Sequence, residues 1–193
     1  MDVLLHVCCA PCSVACIEQL REEGIEPVAL WYNPNIHPFT EYRARREAVR
    51  TYMPAVGVSL IEEGDYGLRE FLSALPDWEN RCETCYTLRL GYAAQYAAAH
   101  GFEAFTSTLF ISPYQDHGAM QRIAQAAGEQ YGVQFLYRDF RPRFKAGQQA
   151  AREAGLYMQK YCGCVFSEEE RYRQRHFAAL RKKRAAEEKG QRL

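Results

Sequence analysis

Apolar and polar positions along the chain follow two alternating periods. Compact apolar runs at Asp2–Val7, Val28–Tyr32, Val58–Ile61, Ala104–Leu109 and Val133–Tyr137 predict strands. Between them, apolar residues recur at helical spacing over Ser13–Glu23, Glu41–Tyr52, Tyr66–Ala74, Thr84–His100 and Gln115–Tyr131, and Gly24, Gly101 and Gly132 stop three of these stretches. Strands alternating with helices of this length predict an α/β fold: a Rossmann-like, doubly wound, mainly parallel sheet with helices on both faces. After Tyr137 the alternation ends. A helix around Ala146–Ala154, a Cys162-Gly163-Cys164 turn and a long charged helix from about Ser167 predict a helical C-terminal extension that folds over the sheet edge. The expected organisation is one α/β domain over residues 1–176 and a charged helical tail over 177–193, frayed after Arg184.

In open parallel sheets, ligands bind beyond the carboxyl ends of the strands. Cys8 and Cys9 follow the first predicted strand, Asn33 to His37 the second and Ser112 to Gln115 the fourth, so these loops are expected to converge. With 193 residues and 48% hydrophobic content, the chain can bury one sizeable core. Its 24 Lys and Arg balance 24 Asp and Glu, so no net field draws it to nucleic acid or membrane, and a polyanion must be met by a local patch. The start, MDVLLHVCCAPC, lacks a basic leader and carries only a short apolar run. It predicts neither signal peptide nor membrane span, and a cytoplasmic location is expected.

Eight cysteines in a reducing compartment argue for metal ligation or catalysis over a structural disulfide framework. Seven form three clusters: Cys8, Cys9 and Cys12; Cys82 and Cys85; Cys162 and Cys164. Cys16 stands apart. The Cys82-x-x-Cys85 spacing lets both sulfurs reach one zinc ion or two corners of an iron–sulfur cube. Cys85 is expected to open its helix, where free amides and the helix dipole favour a thiolate. Cys162 and Cys164, separated by one glycine, can close a strained disulfide or chelate an exposed metal. Proton-donor candidates on the converging loops are His37, Tyr114, Asp116 and His117; Asp116 could instead cap the following helix, and His37 could hydrogen-bond the Asn-Pro turn. Arg43, Arg46 and Arg50 make one cationic stripe, which Glu41 and Glu47 could equally pair. Arg138, Arg141, Arg143 and Lys145 interleave with Phe140 and Phe144 in a pattern suited to base stacking or to packing. Arg181 to Arg184 read as a solvated helix end. There is no GxGxxG for a nicotinamide or flavin and no Gly/Ser-rich phosphate loop for ATP.

Five ordered blocks, LLHVCCAPC, YNPNIHPFTEYRARRE, RCETCYTLRL, FTSTLFISPYQD and YCGC, run from about Leu4 to about Tyr172 and closely resemble the QueH-type epoxyqueuosine reductases. The resemblance implies removal of the epoxide oxygen from epoxyqueuosine at the wobble position of tRNA, leaving the cyclopentene of queuosine. It implies a 4Fe-4S cluster on Cys8, Cys9, Cys82 and Cys85, and Cys162 and Cys164 as a redox pair or ligands of a neighbouring metal. Cys12, which some relatives replace with Asp, becomes a candidate ligand to one additional iron. The implied fold is similar to the nucleotide hydrolase and ATP-pyrophosphatase superfamily. The implied partners are a tRNA anticodon loop, met by Arg43, Arg46, Arg50, Arg141 and Arg143, and an electron donor the sequence does not identify. Two other readings fit the cysteines. A zinc-stabilised RNA-binding module would close Cys8, Cys9, Cys82 and Cys85 on one ion but leave Cys162 and Cys164 unused. A thiol–disulfide reductase would work through Cys162 and Cys164 without needing the arginine stripe.

Overall fold

The computed structural model describes residues 1–190, leaving aside the side chains of Arg175 and residues 182–190. Each apolar run becomes a strand: β1 (Val3–Val7), β2 (Val28–Trp31), β3 (Leu60–Glu62), β4 (Ala104–Ser107) and β5 (Gln134–Phe135). They form one all-parallel sheet in the order β3-β2-β1-β4-β5, with Leu4 opposite Val28 on one side and Phe105 on the other. Central β1 is buried throughout, which explains why it reads as a continuous apolar run instead of an alternating one. The chain winds outward from β1 to β3 and then returns to β4, placing the switch of winding direction between β1 and β4.

Right-handed crossovers then fix the helix layers. On one face α1 (Ala10–Glu22) packs against α2 (Phe39–Ala55) and against α6 (Phe144–Glu153). On the other, α4 (Arg81–Ala99) packs against α5 (His117–Tyr131) and lies on β1 and β4. Short α3 (Leu68–Ala74) precedes α4, and α7 (Val165–Gly190) forms the extension. Its base docks on the start of α4, where Arg81 pairs with Glu170 and lies 5.5 Å over the Phe166 ring. The fraying expected after Arg184 falls on side chains and a terminus outside the described residues. Among the described residues, no helix is long and apolar enough to cross a membrane.

Two helix starts differ from expectation in ways that matter to the thiols. Helix α1 begins at Ala10, not Ser13, because Pro11 sits in the first turn where a missing N–H costs nothing. Cys9 thereby becomes the N-cap and Cys12 a first-turn residue. Helix α4 begins at Arg81, not Thr84, because the Asp77 carboxylate accepts from the Asn80 backbone N–H (2.7 Å) and from its Nδ2 (2.9 Å), fixing the turn that launches the helix. Cys85 therefore lies one turn inside the helix and does not open it. Strand β4 also ends early, at Ser107, and continues as a 3-10 turn over Thr108–Ile111.

Candidate functional site

The first thiols lie at the switch point. The Cys8 backbone N–H donates to Thr108 Oγ1 (3.3 Å), tying the ends of β1 and β4 together, and the same oxygen is 3.5 Å from Cys8 Sγ. The sharp passage from strand to helix turns the sulfurs of Cys8, Cys9 and Cys12 toward one point, all within 4.8 Å of one another. Cys8 and Cys9 are 3.7 Å apart, and Gln159 Nε2 donates to Cys12 Sγ at 3.4 Å. The Cys12 and Cys9 thiols donating to Cys8, with Arg89 nearby, hold Cys8 well below the usual thiol range, while the same contact raises Cys12 and burial raises Cys9. Three sulfurs this close together could hold a metal ion. Cys16 is buried in the core on the next turn.

The other two clusters meet at the same edge. Cys85 and Cys164 are buried together against Phe71, and Cys82 and Cys162 are exposed. Gln115 Nε2 donates to Cys162 Sγ (3.1 Å), and its carbonyl accepts from the Tyr86 hydroxyl (2.6 Å). All eight cysteines are free thiols. Burial pushes Cys85 up to about 12, so the depressed pKa expected from the helix dipole is not found; desolvation outweighs the amides at this depth.

Two buried arginines bind these parts together, and neither was among the residues singled out from sequence. Arg89 is 2% exposed; Nη2 donates to Asn33 Oδ1 (2.9 Å), Nη1 approaches Cys85 Sγ (3.7 Å), and its Nε has no partner among the described residues. Asn33 Nδ2 in turn donates to the Val7 carbonyl (2.9 Å), so the guanidinium is anchored to the end of β1. No carboxylate pairs with Arg89 among the described residues; its pKa is pulled down by burial but raised overall by the Cys85, Cys8 and Cys162 sulfurs. Arg45 is 1% exposed and donates to Glu41 (2.7 Å) and to the carbonyls of Cys162 (2.8 Å) and Tyr161 (2.9 Å). Gly163 passes so close that a Cβ there would stand 3.3 Å from Ile36 Cγ1 and 3.5 Å from Arg45 Nη1. A side chain there would crowd this wall, and the φ of 154° is a backbone conformation that other residues rarely adopt. His6, also buried, spends its ring nitrogens on Ser107 Oγ (2.8 Å) and the Tyr32 carbonyl (3.1 Å), and burial with Arg89 holds its pKa down at about 3.

The proton-donor candidates fall into different roles. His37 Nδ1 accepts from the Val165 N–H (3.4 Å) and Nε2 faces the Pro34 carbonyl (3.0 Å), so both nitrogens are committed to backbone. Its own N–H donates to the Gly163 carbonyl (2.7 Å) and its carbonyl accepts from the Tyr161 hydroxyl (2.7 Å). His37 is a positioning residue for the cysteine turn. Asp116 caps α5, accepting from the Ala119 N–H at 2.9 Å. Asp116→Ala is expected to cost about 1 kcal/mol of stability, with Asp116→Asn retaining it, measured by urea unfolding. His117 Nε2 donates to the Ser112 carbonyl (3.2 Å) and Nδ1 has no partner among the described residues, while Tyr114 is 86% exposed.

The basic surfaces are more fully paired than expected. Arg138 pairs with Glu23, Arg141 with Asp139 and Arg143 with Glu22. Phe140 is fully buried in the core, so the interleaved stacking surface does not form there; the apolar ring is worth more inside than on a solvated patch. Arg46 and Arg50 share Glu62, whereas Arg43 makes no ion pair among the described residues.

The family described as "Epoxyqueuosine reductase QueH" matches residues 3–170 of the chain. A relative of that name from Dehalococcoides mccartyi is 43% identical over 171 residues, 88% of this chain and 94% of that protein. Another, from Thermotoga maritima, is 36% identical over 192 residues, 94% of this chain and 97% of its own length. A third, from Haemophilus influenzae, is 37% identical over 175 residues, 86% of this chain and 71% of its own.

Proposed function

Because the chain belongs to the QueH family of epoxyqueuosine reductases, we propose that it reduces the epoxide of epoxyqueuosine in tRNA to queuosine, using an iron–sulfur cluster bound in the thiol crevice. The observation that carries the cluster is Arg89: a buried guanidinium with no carboxylate partner among the described residues, 3.7 Å from Cys85 Sγ, with its pKa raised by the Cys85, Cys8 and Cys162 sulfurs, one from each cluster. A buried cation is tolerated only beside compensating negative charge, and metal-bound thiolates supply it. The donor set is all sulfur, which suits iron–sulfur or zinc and not a hard cation.

In this reading Cys8, Cys9, Cys82 and Cys85 would hold a 4Fe-4S cluster, and Cys12, whose sulfur lies within 4.8 Å of those of Cys8 and Cys9, would ligate one additional iron. Such a cluster, when bound, would supply electrons singly over about −700 to +450 mV and could offer an iron to polarise an epoxide oxygen. The overall step takes two electrons and two protons, breaks both C–O bonds, forms the alkene and releases water. Oxidation of the Cys162 and Cys164 thiols to a disulfide yields two electrons and two protons, which is the required balance; an external reductant then restores the dithiol. Gln115, fixed by Tyr86, orients the exposed Cys162 sulfur at the crevice mouth. Arg45 and His37 hold the turn in place. The enzyme works in the cytoplasm, where its tRNA is.

Anaerobic purification, a visible spectrum, assays of iron, zinc and sulfide, and turnover on tRNA test this. Broad visible absorbance with matched iron and sulfide is expected. Cys82→Ser and Cys85→Ser are expected to lose it; Cys162→Ser and Cys164→Ser are expected to keep it and lose turnover. Colourless protein carrying stoichiometric zinc, with no cluster restored by iron and sulfide, would replace this mechanism with the zinc-stabilised RNA-binding module.

A further inference from the structure

A groove beside the cysteine turn has a composition that no part of the reduction uses. Its cavity of about 430 Å³ lies between the start of α2 and the loop before α3, lined chiefly by Phe39, Tyr42, Arg43, Arg46, Asp65 and Tyr66. That volume is in the range that holds a small organic ligand. Three of the walls are aromatic: Phe39 meets Tyr66 edge-on at 5.3 Å, and Tyr42 meets Tyr66 at 5.7 Å. Phe39 is 52% exposed, a phenyl ring left in water at the rim. Tyr42 is the opposite case: it is 3% exposed, yet its hydroxyl has no hydrogen-bond partner among the described residues. Buried polar groups without partners are rare enough to ask what completes them.

The charges narrow the ligand. Arg46 lies 5.8 Å over the Tyr42 ring and is held, with Arg50, by Glu62. Glu47, also on the wall, pairs with Arg50. Arg43 and Asp65 make no ion pair among the described residues, which leaves one cation and one carboxylate in the groove. A bare phosphate would not use three rings, and an aliphatic group would not use Arg43, Asp65 or the Tyr42 hydroxyl. A nucleotide uses all of them: a π-face for Phe39, a phosphate for Arg43, and N–H and acceptor edges for Asp65 and Tyr42. The groove also adjoins the chemistry, since the Tyr66 ring stands edge-on to His37 at 5.7 Å, and the His37 N–H holds the Gly163 carbonyl. We propose that this groove binds one unstacked nucleotide of the RNA substrate, with its base on Phe39 and its phosphate on Arg43, next to the reacting nucleotide.

The inference rests on tRNA being the substrate, and binding separates it from turnover. Anisotropy of a labelled anticodon stem–loop on the metal-loaded protein is the direct measure, with kcat and KM for tRNA beside it. Phe39→Ala is expected to raise Kd and KM about 5- to 150-fold, with Phe39→Trp restoring both. Tyr42→Phe is expected to raise Kd about 2- to 12-fold, and Arg43→Ala to flatten the log–log salt slope by about 1. Unchanged Kd in Phe39→Ala and Tyr42→Phe would overturn the proposal. So would saturable binding of free guanosine 5′-monophosphate that excess stem–loop fails to displace, since that makes the groove a mononucleotide site. Parent protein that binds the stem–loop through Phe39 but never reduces tRNA would instead sink the reductase reading and leave the groove assigned.

Discussion

Arg89→Met is expected to empty the crevice of metal while leaving the metal-free fold standing. The two states differ in the charge that Arg89 faces. In the metal-free protein the neighbouring thiols can protonate, so removing a buried guanidinium relieves its desolvation and costs mainly the hydrogen bond to Asn33, about 1 kcal/mol. With metal bound, the thiolates cannot protonate, and Met leaves their negative charge buried without a counter-charge. Breaking one side of a buried charge set costs about 3–5 kcal/mol, equivalent to a loss of metal affinity of about 160- to 5,000-fold. Arg89→Lys keeps the charge but loses the fork that reaches Asn33 and Cys85 together, and is expected to fall between. Metal per chain after anaerobic gel filtration, half-life in chelator and the melting temperature of the metal-free protein check this. Equal metal content and chelator half-life in parent and Arg89→Met would show that the guanidinium does not balance the site.

The thiols were legible in the sequence and the arginines were not, for a physical reason. Cysteine declares its chemistry by residue type and spacing, and the strand–helix alternation is enough to bring residues 8–12, 33–37 and 112–115 to one edge. Arginine is normally a surface residue, so Arg43, Arg46 and Arg50 drew notice as a stripe while Arg45, between them, carried no signal. Yet Arg45 is the one turned inward. Its direction is set by partners 116 and 117 residues away, Tyr161 and Cys162, which periodicity cannot see. A signal for Arg89 did exist: Cys82, Cys85 and Arg89 fall at i, i+3 and i+7, one face of one helix. Finding it required the helix to start at Arg81, and that start depends on the Asp77–Asn80 turn and not on the apolar pattern. Phe140 is a case the sequence left open between base stacking and packing, because only tertiary contacts decide it, and here packing claims the ring.

Arg45→Met is expected to release the cysteine turn, the second large effect. Arg45 spends its fork on three acceptors that have few substitutes: Glu41 and the carbonyls of Tyr161 and Cys162. Glu41, which also accepts from the Tyr157 hydroxyl (2.5 Å), is itself buried, so losing Arg45 strands a carboxylate and two carbonyls at once. The carboxylate alone costs about 3–5 kcal/mol, and each unsatisfied carbonyl about 1–3 kcal/mol. The sheet need not unfold to escape this penalty, because the acceptors lie on α2 and on the segment after α6, which can separate. The other ties, His37 N–H to Gly163, Tyr161 hydroxyl to His37, Val165 N–H to His37 Nδ1 and Gln115 Nε2 to Cys162, are neutral hydrogen bonds worth about 1 kcal/mol each and do not match a penalty of this size. Local opening is therefore the cheaper response, and it carries Cys162 and Cys164 out of the crevice while Cys8, Cys9 and Cys12 stay on β1 and α1. In the metal-free protein, alkylation of buried Cys164, followed by mass spectrometry, should accelerate at least a hundredfold, and tRNA turnover should fall in proportion to the displaced fraction. Glu41→Leu combined with Arg45→Met removes the stranded carboxylate and is expected to restore much of the protection, because deleting both members of a buried pair can be nearly neutral. Slow labelling of Cys164 in Arg45→Met, indistinguishable from the parent, would mean that the turn is held by its packing on Phe71 and Ile36 and not by this guanidinium.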